Sequence, residues 1–191
     1  MKPKIVDLIK SGKILVSDGA WGTLLLNKGL SYDDSPDEWN LSHPNEIYNI
    51  AKSYIDAGSN LVETNSFGAS YIKLRDFNLQ EKAELINKSA VELSRKAAGD
   101  NNYVIASIGP TGKLIINDEV TVEELYKAFK QQAIAFEEAG ADAVCIETFY
   151  DLQEAECAIK AVKENTKLEL ICTFTFEKKE TGEFRTMMGV G

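Results

Sequence analysis

Two carboxylates in this chain stand directly after short apolar runs. Asp18-Gly19 follows Ile14-Leu15-Val16-Ser17, and Glu147-Thr148 follows Ala143-Val144-Cys145-Ile146. A carboxylate in such a place can bind an ammonium group. Gly19 lets a ligand come close to the backbone, whose N–H groups can meet an anion. Two carboxylates and free backbone N–H groups around one mouth would suit a zwitterion such as an amino acid. The same two residues also fit loop capping and structural hydrogen bonding, and spacing alone does not separate the readings. Glu63-Thr64-Asn65-Ser66 is a second polar cluster, after Asn60-Leu61-Val62. Asn65 is the member expected to point at a ligand, while Glu63 faces either the helices or the interior. Gly109-Pro110-Thr111-Gly112 reads either as the floor of a pocket or as a tight turn only.

Other reactive residue types carry less. The single His43 precedes Pro44 and reads as a helix-start residue. Cys145, Cys157 and Cys172 lack the pair spacing of a structural zinc site and read as core packing. Trp21, just after Asp18-Gly19, is placed to shape a pocket wall.

These residues need a scaffold that brings strand ends together. Five apolar runs end in polar residues and turns: near 13–18, up to Asn65, up to Gly109-Pro110, up to Glu147-Thr148, and 168–175. Helical patterns lie between them. Ile47, Ile50, Ala51, Tyr54 and Ile55 form one stripe after Pro44, stopped by Gly58. A longer helix is expected from about Gln80 to Ala98, closed by Gly99. Thr121 with Glu124 forms a capping box for a helix reaching Ala139, and Asp151 caps one reaching about Lys163. A short lead-in helix over 3–10 places Ile5, Leu8 and Ile9 on one face. Residues 177–183 read as a polar hairpin or loop. Strands apolar on both faces and separated by helices imply a parallel α/β sheet. In such folds ligands bind at the carboxyl ends of the strands.

Composition narrows the function classes. The chain has 191 residues, 44% hydrophobic and 27% charged, which is ordinary for a globular protein. Acidic residues outnumber basic ones 30 to 21, for a formal charge of −9. Nucleic-acid binding draws on clustered Lys and Arg, so no nucleic-acid partner is expected. No apolar stretch reaches the roughly 18 residues of a membrane span. Met1 to Lys13 lacks a signal-peptide core and cleavage site. Three cysteines in no motif argue against a secreted disulfide scaffold, so a cytoplasmic location is expected.

Four motifs occur in order: Asp18-Gly19-Ala20-Trp21-Gly22-Thr23, Glu63-Thr64-Asn65-Ser66-Phe67-Gly68, Ile108-Gly109-Pro110-Thr111-Gly112 and Glu147-Thr148-Phe149. Together they resemble the homocysteine S-methyltransferase domain. That domain is the N-terminal barrel of cobalamin-dependent methionine synthase and is shared with betaine–homocysteine methyltransferase. The resemblance implies a (β/α)8 TIM barrel that transfers a methyl group to the thiol of homocysteine, giving methionine. It implies that Asp18 and Glu147 hold the substrate ammonium and that backbone groups at Gly19 and Ala20 receive its carboxylate. Asn65 and Thr148 complete the expected substrate-binding set.

The resemblance also implies zinc, which deprotonates the substrate thiol and is held by three thiolates. In the family these come from a Gly-x-Asn-Cys strand end and a later Gly-Gly-Cys-Cys-Gly strand end. Neither motif occurs here, and no metal ligand or catalytic residue is assigned to this chain. The methyl donor is left open among methylcobalamin on a corrinoid protein, betaine, and S-methylmethionine or S-adenosylmethionine. The expectation is an incomplete barrel. Residues 1–191 would be the N-terminal part of the domain, about the first five βα units, carrying the amino-acid-binding half and inactive or very weak alone. Open sheet edges would favour self-association or a complementary fragment. Two other readings stand beside it: a non-catalytic half-barrel binding or assembly protein, and an unrelated barrel enzyme using Asp18 and Glu147 as an acid/base pair.

Overall fold

A strand turns alternate residues to opposite faces, so its apolar pattern decides what each face meets. The computed structural model describes residues 2–191. In chain order the elements are α1 (Ile5–Lys10), α2 (Gly22–Asn27), α3 (Trp39–Ser42), α4 (Pro44–Asp56), β1 (Leu61–Glu63), α5 (Tyr71–Leu74), α6 (Ala83–Ala98), β2 (Tyr103–Ile108), α7 (Val122–Glu138), β3 (Ala143–Phe149), α8 (Leu152–Asn165), β4 (Glu169–Phe174), β5 (Glu177–Lys178) and β6 (Phe184–Arg185). Strands β1 to β4 form one parallel sheet in sequential order, and β5 and β6 pair as an antiparallel hairpin.

Helix boundaries follow local chemistry. Thr121 makes the full capping box with Glu124 at the start of α7. Asp151 accepts from the backbone of Gln153 and Glu154 at the start of α8. Asn78 takes the left-handed conformation that ends the helical turn before it.

The two faces of the sheet are unlike. Val62, Val104, Ala106, Ile108, Val144 and Ile146 face the helices and pack with Val91, Phe129, Phe136 and Val162. Leu61, Tyr103, Ile105, Ala143 and Cys145 face the other way and pack with Ile5, Leu8, Leu15 and Ile171. On this inner face α1 is held at its start by Glu169, whose carboxylate accepts from the backbone N–H groups of Ile5 (2.7 Å) and Val6 (2.9 Å). Tyr103 donates its hydroxyl to the Pro3 carbonyl at 2.7 Å. Helix α1 therefore covers the amino half of the inner face. The carboxyl half is left to polar residues. Ile9 stands 58% exposed, off the buried face expected for it, because α1 seats only Ile5 and Leu8.

The first expected strand is not built as one. Only Ser17 bridges to Leu61. The Val16 N–H donates to the Asn60 side-chain oxygen at 3.0 Å rather than to a main-chain carbonyl, which breaks the ladder. Ile14 and Val16 lie 85% and 54% exposed, so no burial holds this segment flat against β1. The sheet thus has four regular strands where five were read. Among the described residues, no helix is long and apolar enough to cross a membrane.

Candidate functional site

A cavity of about 680 Å³ opens at the carboxyl ends of the strands. Its wall combines Ser17 to Gly22, Glu63 to Gly68, Ser107 and Glu147 with Asp37, Lys73 and Phe77 from outside the sheet. Odd-numbered residues of β1, β2 and β3 share the inner face. That phase carries Glu63, Ser107 and Glu147 past the apolar patch under α1 and into the cavity.

Asp18 is fixed by three donors. Its Oδ2 accepts from Trp21 Nε1 and from the Glu63 backbone N–H, each at 2.9 Å, and its Oδ1 accepts from Ser17 Oγ at 3.0 Å. The side chain therefore clasps the 14–18 segment to β1 while also lining the cavity. Burial pushes its carboxyl above the usual range in spite of these bonds. Glu147 accepts from Ser107 Oγ. Burial pushes it up as well, and the charge of Asp18 adds to this, so the two carboxyl groups sense each other across the cavity. Glu63 is the third. Burial first, then Glu147 and Asp18, push it up to about 8, with the Cys145 thiol beside it opposing the rise only weakly.

The remaining expected residues sit as follows. Gly19 and Ala20 line the cavity, and among the described residues neither backbone N–H has a hydrogen-bond acceptor. Tyr54 lies against them. Its hydroxyl donates to the Ala20 carbonyl at 2.8 Å, and a Cβ on Gly19 would come within 3.3 Å of that hydroxyl. Asn65 also lines the cavity, but its amide nitrogen is spent on the Pro36 carbonyl at 2.7 Å. The Asn65 carbonyl accepts from Asn40 Nδ2, also at 2.7 Å. Asn65 thus fastens the 36–40 segment over the strand ends. Thr148 lies outside the cavity lining. It occupies the irregularity between Ile146 and Phe149, with φ at +63°, and its N–H donates to Thr173 Oγ1 at 3.2 Å.

Gly109-Pro110-Thr111-Gly112 supports the wall from behind rather than lining it. Gly109 lies under the ring of Phe67, which itself faces the cavity. Thr111 donates its N–H and hydroxyl to the buried Glu154 of α8 at 2.7 and 2.6 Å. Asp37 accepts from the Gly68 N–H at 3.0 Å, and burial pushes its carboxyl up to about 6. Lys73 is paired with Asp76 at 3.1 Å. Ser107 is recoverable from period-two counting along β2. Lys73 comes from the one-turn helix α5, and Asp37 and Phe77 from single 3-10 turns, all too short to carry a periodic signal.

His43 stacks on Trp39 with ring centres 4.2 Å apart and stands immediately before α4. The cysteines do not fit a shared zinc ion. Cys145 faces the inside beside Glu63. Cys172 pairs in register with Ile146, whose side chain faces the helices. Cys157 sits on α8, its Sγ 3.9 Å from the Val122 carbonyl. Among the described residues no three His, Cys, Asp or Glu side chains are grouped to hold a metal ion.

Comparison with known proteins adds a family context to this geometry. The family model for homocysteine S-methyltransferase matches residues 15–190. A methionine synthase of Mycobacterium leprae is 30% identical over 159 residues, covering 77% of this chain and 13% of the relative. One from Mycobacterium tuberculosis is 28% identical over 163 residues, covering 79% of this chain and 14% of the relative. The chain therefore spans only a small part of these relatives. Among solved structures, the metallated form of the homocysteine methyltransferase MmuM from Escherichia coli matches with a TM-score of 0.80 at 24% identity, over 96% of this chain and 69% of that one. The oxidized form matches with a TM-score of 0.78 at 25% identity, over 93% and 66%.

Proposed function

Because the chain belongs to the homocysteine S-methyltransferase family, we propose that its cavity is the amino-acid-binding half of a homocysteine site. The observation that carries this reading is the placement of Asp18 and Glu147 on one cavity, each pushed up by burial and coupled in charge. A substrate ammonium supplies the positive charge these carboxyls lack. The substrate carboxylate meets the free N–H groups of Gly19 and Ala20, where Tyr54 holds the backbone in place. Asn65 acts by fastening the segment that closes over the site, and Thr148 by shaping the strand end beside Glu147. The fold is read as about the first five βα units of a (β/α)8 barrel, with 1–191 as one homocysteine-binding unit.

In the family, methyl transfer to the homocysteine thiol gives methionine, and the donor is methylcobalamin on a corrinoid protein or a small methylated molecule. Zinc deprotonates the thiol when it is bound. The three cysteines of this chain do not converge to hold it, so the activity assigned to these residues is recognition of the amino acid. Calorimetric titration with L-homocysteine and L-methionine tests the reading. Loss of one buried charge-assisted hydrogen bond costs about 1.5–3 kcal/mol, so Asp18→Asn and Glu147→Gln are each expected to weaken binding about 10- to 100-fold. Unchanged affinity in both variants would overturn it. Turnover abolished by Glu147→Gln with binding intact would instead favour an acid/base role.

Exposed Ile14 and Val16 on one side of the sheet and half-buried β4 on the other support a partner along these edges, either a second copy or a complementary fragment. Light scattering is expected to report a species larger than one chain. A monodisperse monomer would count against it.

A further inference from the structure

Four carboxyl groups line the cavity; Asp37 is engaged by the Gly68 N–H, and the substrate reading uses two of the other three. We propose that Glu63 is the proton-carrying member of the site: neutral before substrate binds, it ionises when an amino acid's ammonium group seats against Asp18 and Glu147, and its proton leaves to solvent. This rests on the amino-acid reading above and adds a proton to its balance.

Charge and hydrogen bonding select Glu63. Like charges sharing a site raise each other's cost of ionisation, so three neighbouring carboxyls without a cation do not all ionise. Lys73, the basic side chain on the cavity wall, is held by Asp76. Donors favour the ionised form, and they are unequally shared. Asp18 has Trp21, Ser17 and the Glu63 N–H. Glu147 has the Ser107 hydroxyl. The Glu63 carboxyl has no such donor, only the weakly polar thiol of Cys145 beside it. The groups that face it are Asp18 from the 14–18 segment and Glu147 and Cys145 from β3. Ser94 of α6 reaches only its backbone carbonyl, at 3.0 Å. A carboxyl pushed up to about 8 agrees with this placement. An ammonium group carries three donors, one for each carboxylate. Its arrival supplies the missing charge and makes the neutral form of Glu63 the less stable one.

Two measurements test this. L-Methionine is the probe, because its thioether has no proton to lose. Calorimetric titration at pH 7 in two buffers of different ionisation enthalpy is expected to show release of close to one proton per ligand bound. Glu63→Gln is expected to bind with almost no release, and the desamino analogue of methionine to release none from the unaltered chain. Binding by the unaltered chain without proton release overturns the proposal. Infrared difference spectra provide a readout that needs no ligand. A protonated-carboxyl band is expected at pH 7 in the unaltered chain, lost in Glu63→Gln. An ionised Glu63 at pH 7 overturns the proposal by itself, whereas a protonated Glu63 with no heat of methionine binding overturns the substrate reading instead.

Discussion

Asp37 offers a stability experiment whose size follows from its surroundings. The side chain is buried, its cradle is the Gly68 N–H, and burial raises its pKa from 3.8 to about 6. At 1.36 kcal/mol per pH unit, that rise corresponds to about 3 kcal/mol. The sign is fixed by proton binding. Between pH 4 and 6 the folded chain holds the Asp37 proton more tightly than the unfolded chain does. The contribution is therefore fully present below the unfolded value and is lost as pH rises through 6. Asp37→Asn keeps an acceptor for Gly68 and cannot ionise. It is expected to match the parent chain near pH 3.8, to exceed it by about 3 kcal/mol above pH 7, and to show about half of that gap at pH 5. Urea unfolding of both chains across this range measures the difference. Using the difference removes the slopes contributed by Asp18, Glu63 and Glu147. A gap that does not change with pH, or one that shrinks as pH rises, would refute the reasoning.

The two remaining stability predictions concern the supports of the cavity. A Cβ on Gly109 would lie 2.6 Å from the Phe67 ring, so Gly109→Ala must displace the ring; because Phe67 is half-exposed and faces the open cavity, the cost is expected to be about 1 kcal/mol, the low end for overpacking. A thermal midpoint equal to that of the parent chain would contradict this close approach. Glu154→Ala strands two donors of Thr111 in the interior and is expected to cost about 2–4 kcal/mol, with Glu154→Gln recovering part of it. Urea unfolding checks the order, and equal losses for Ala and Gln would contradict it.

Much of this architecture is legible in the residues themselves. The capping box at Thr121, the Asp151 cap and the glycines after α4, α6 and α7 mark helix ends by local chemistry, so they need no tertiary information. Strands β1 to β4 lie where apolar runs meet turn residues. The segment near 13–18 reads the same way yet forms one bridge, because a ladder needs a partner backbone and Asn60 places its side chain where a carbonyl would stand. The direction of Glu63 depends on the phase of β1 against β2, and a three-residue strand fixes no phase by composition. Asp18 and Glu147 are visible as carboxylates at run ends. Their mutual coupling is visible only when both strand ends are seen together. Asp37 and Lys73 reach the cavity from one-turn helical segments whose path over the strand ends periodicity does not encode.

The grip of Glu169 on Ile5 and Val6 joins positions more than 160 residues apart. Closing so long a loop is entropically costly and is repaid only after the intervening sheet exists. On a ribosome, residues 2–10 would emerge well before β4 but dock only once β4 has cleared the exit tunnel. Until then Ile5 and Leu8 stay in water, and the inner face of the growing sheet lacks its cover. A polar replacement of Ile5 should therefore delay the last folding phase while sparing the earlier ones.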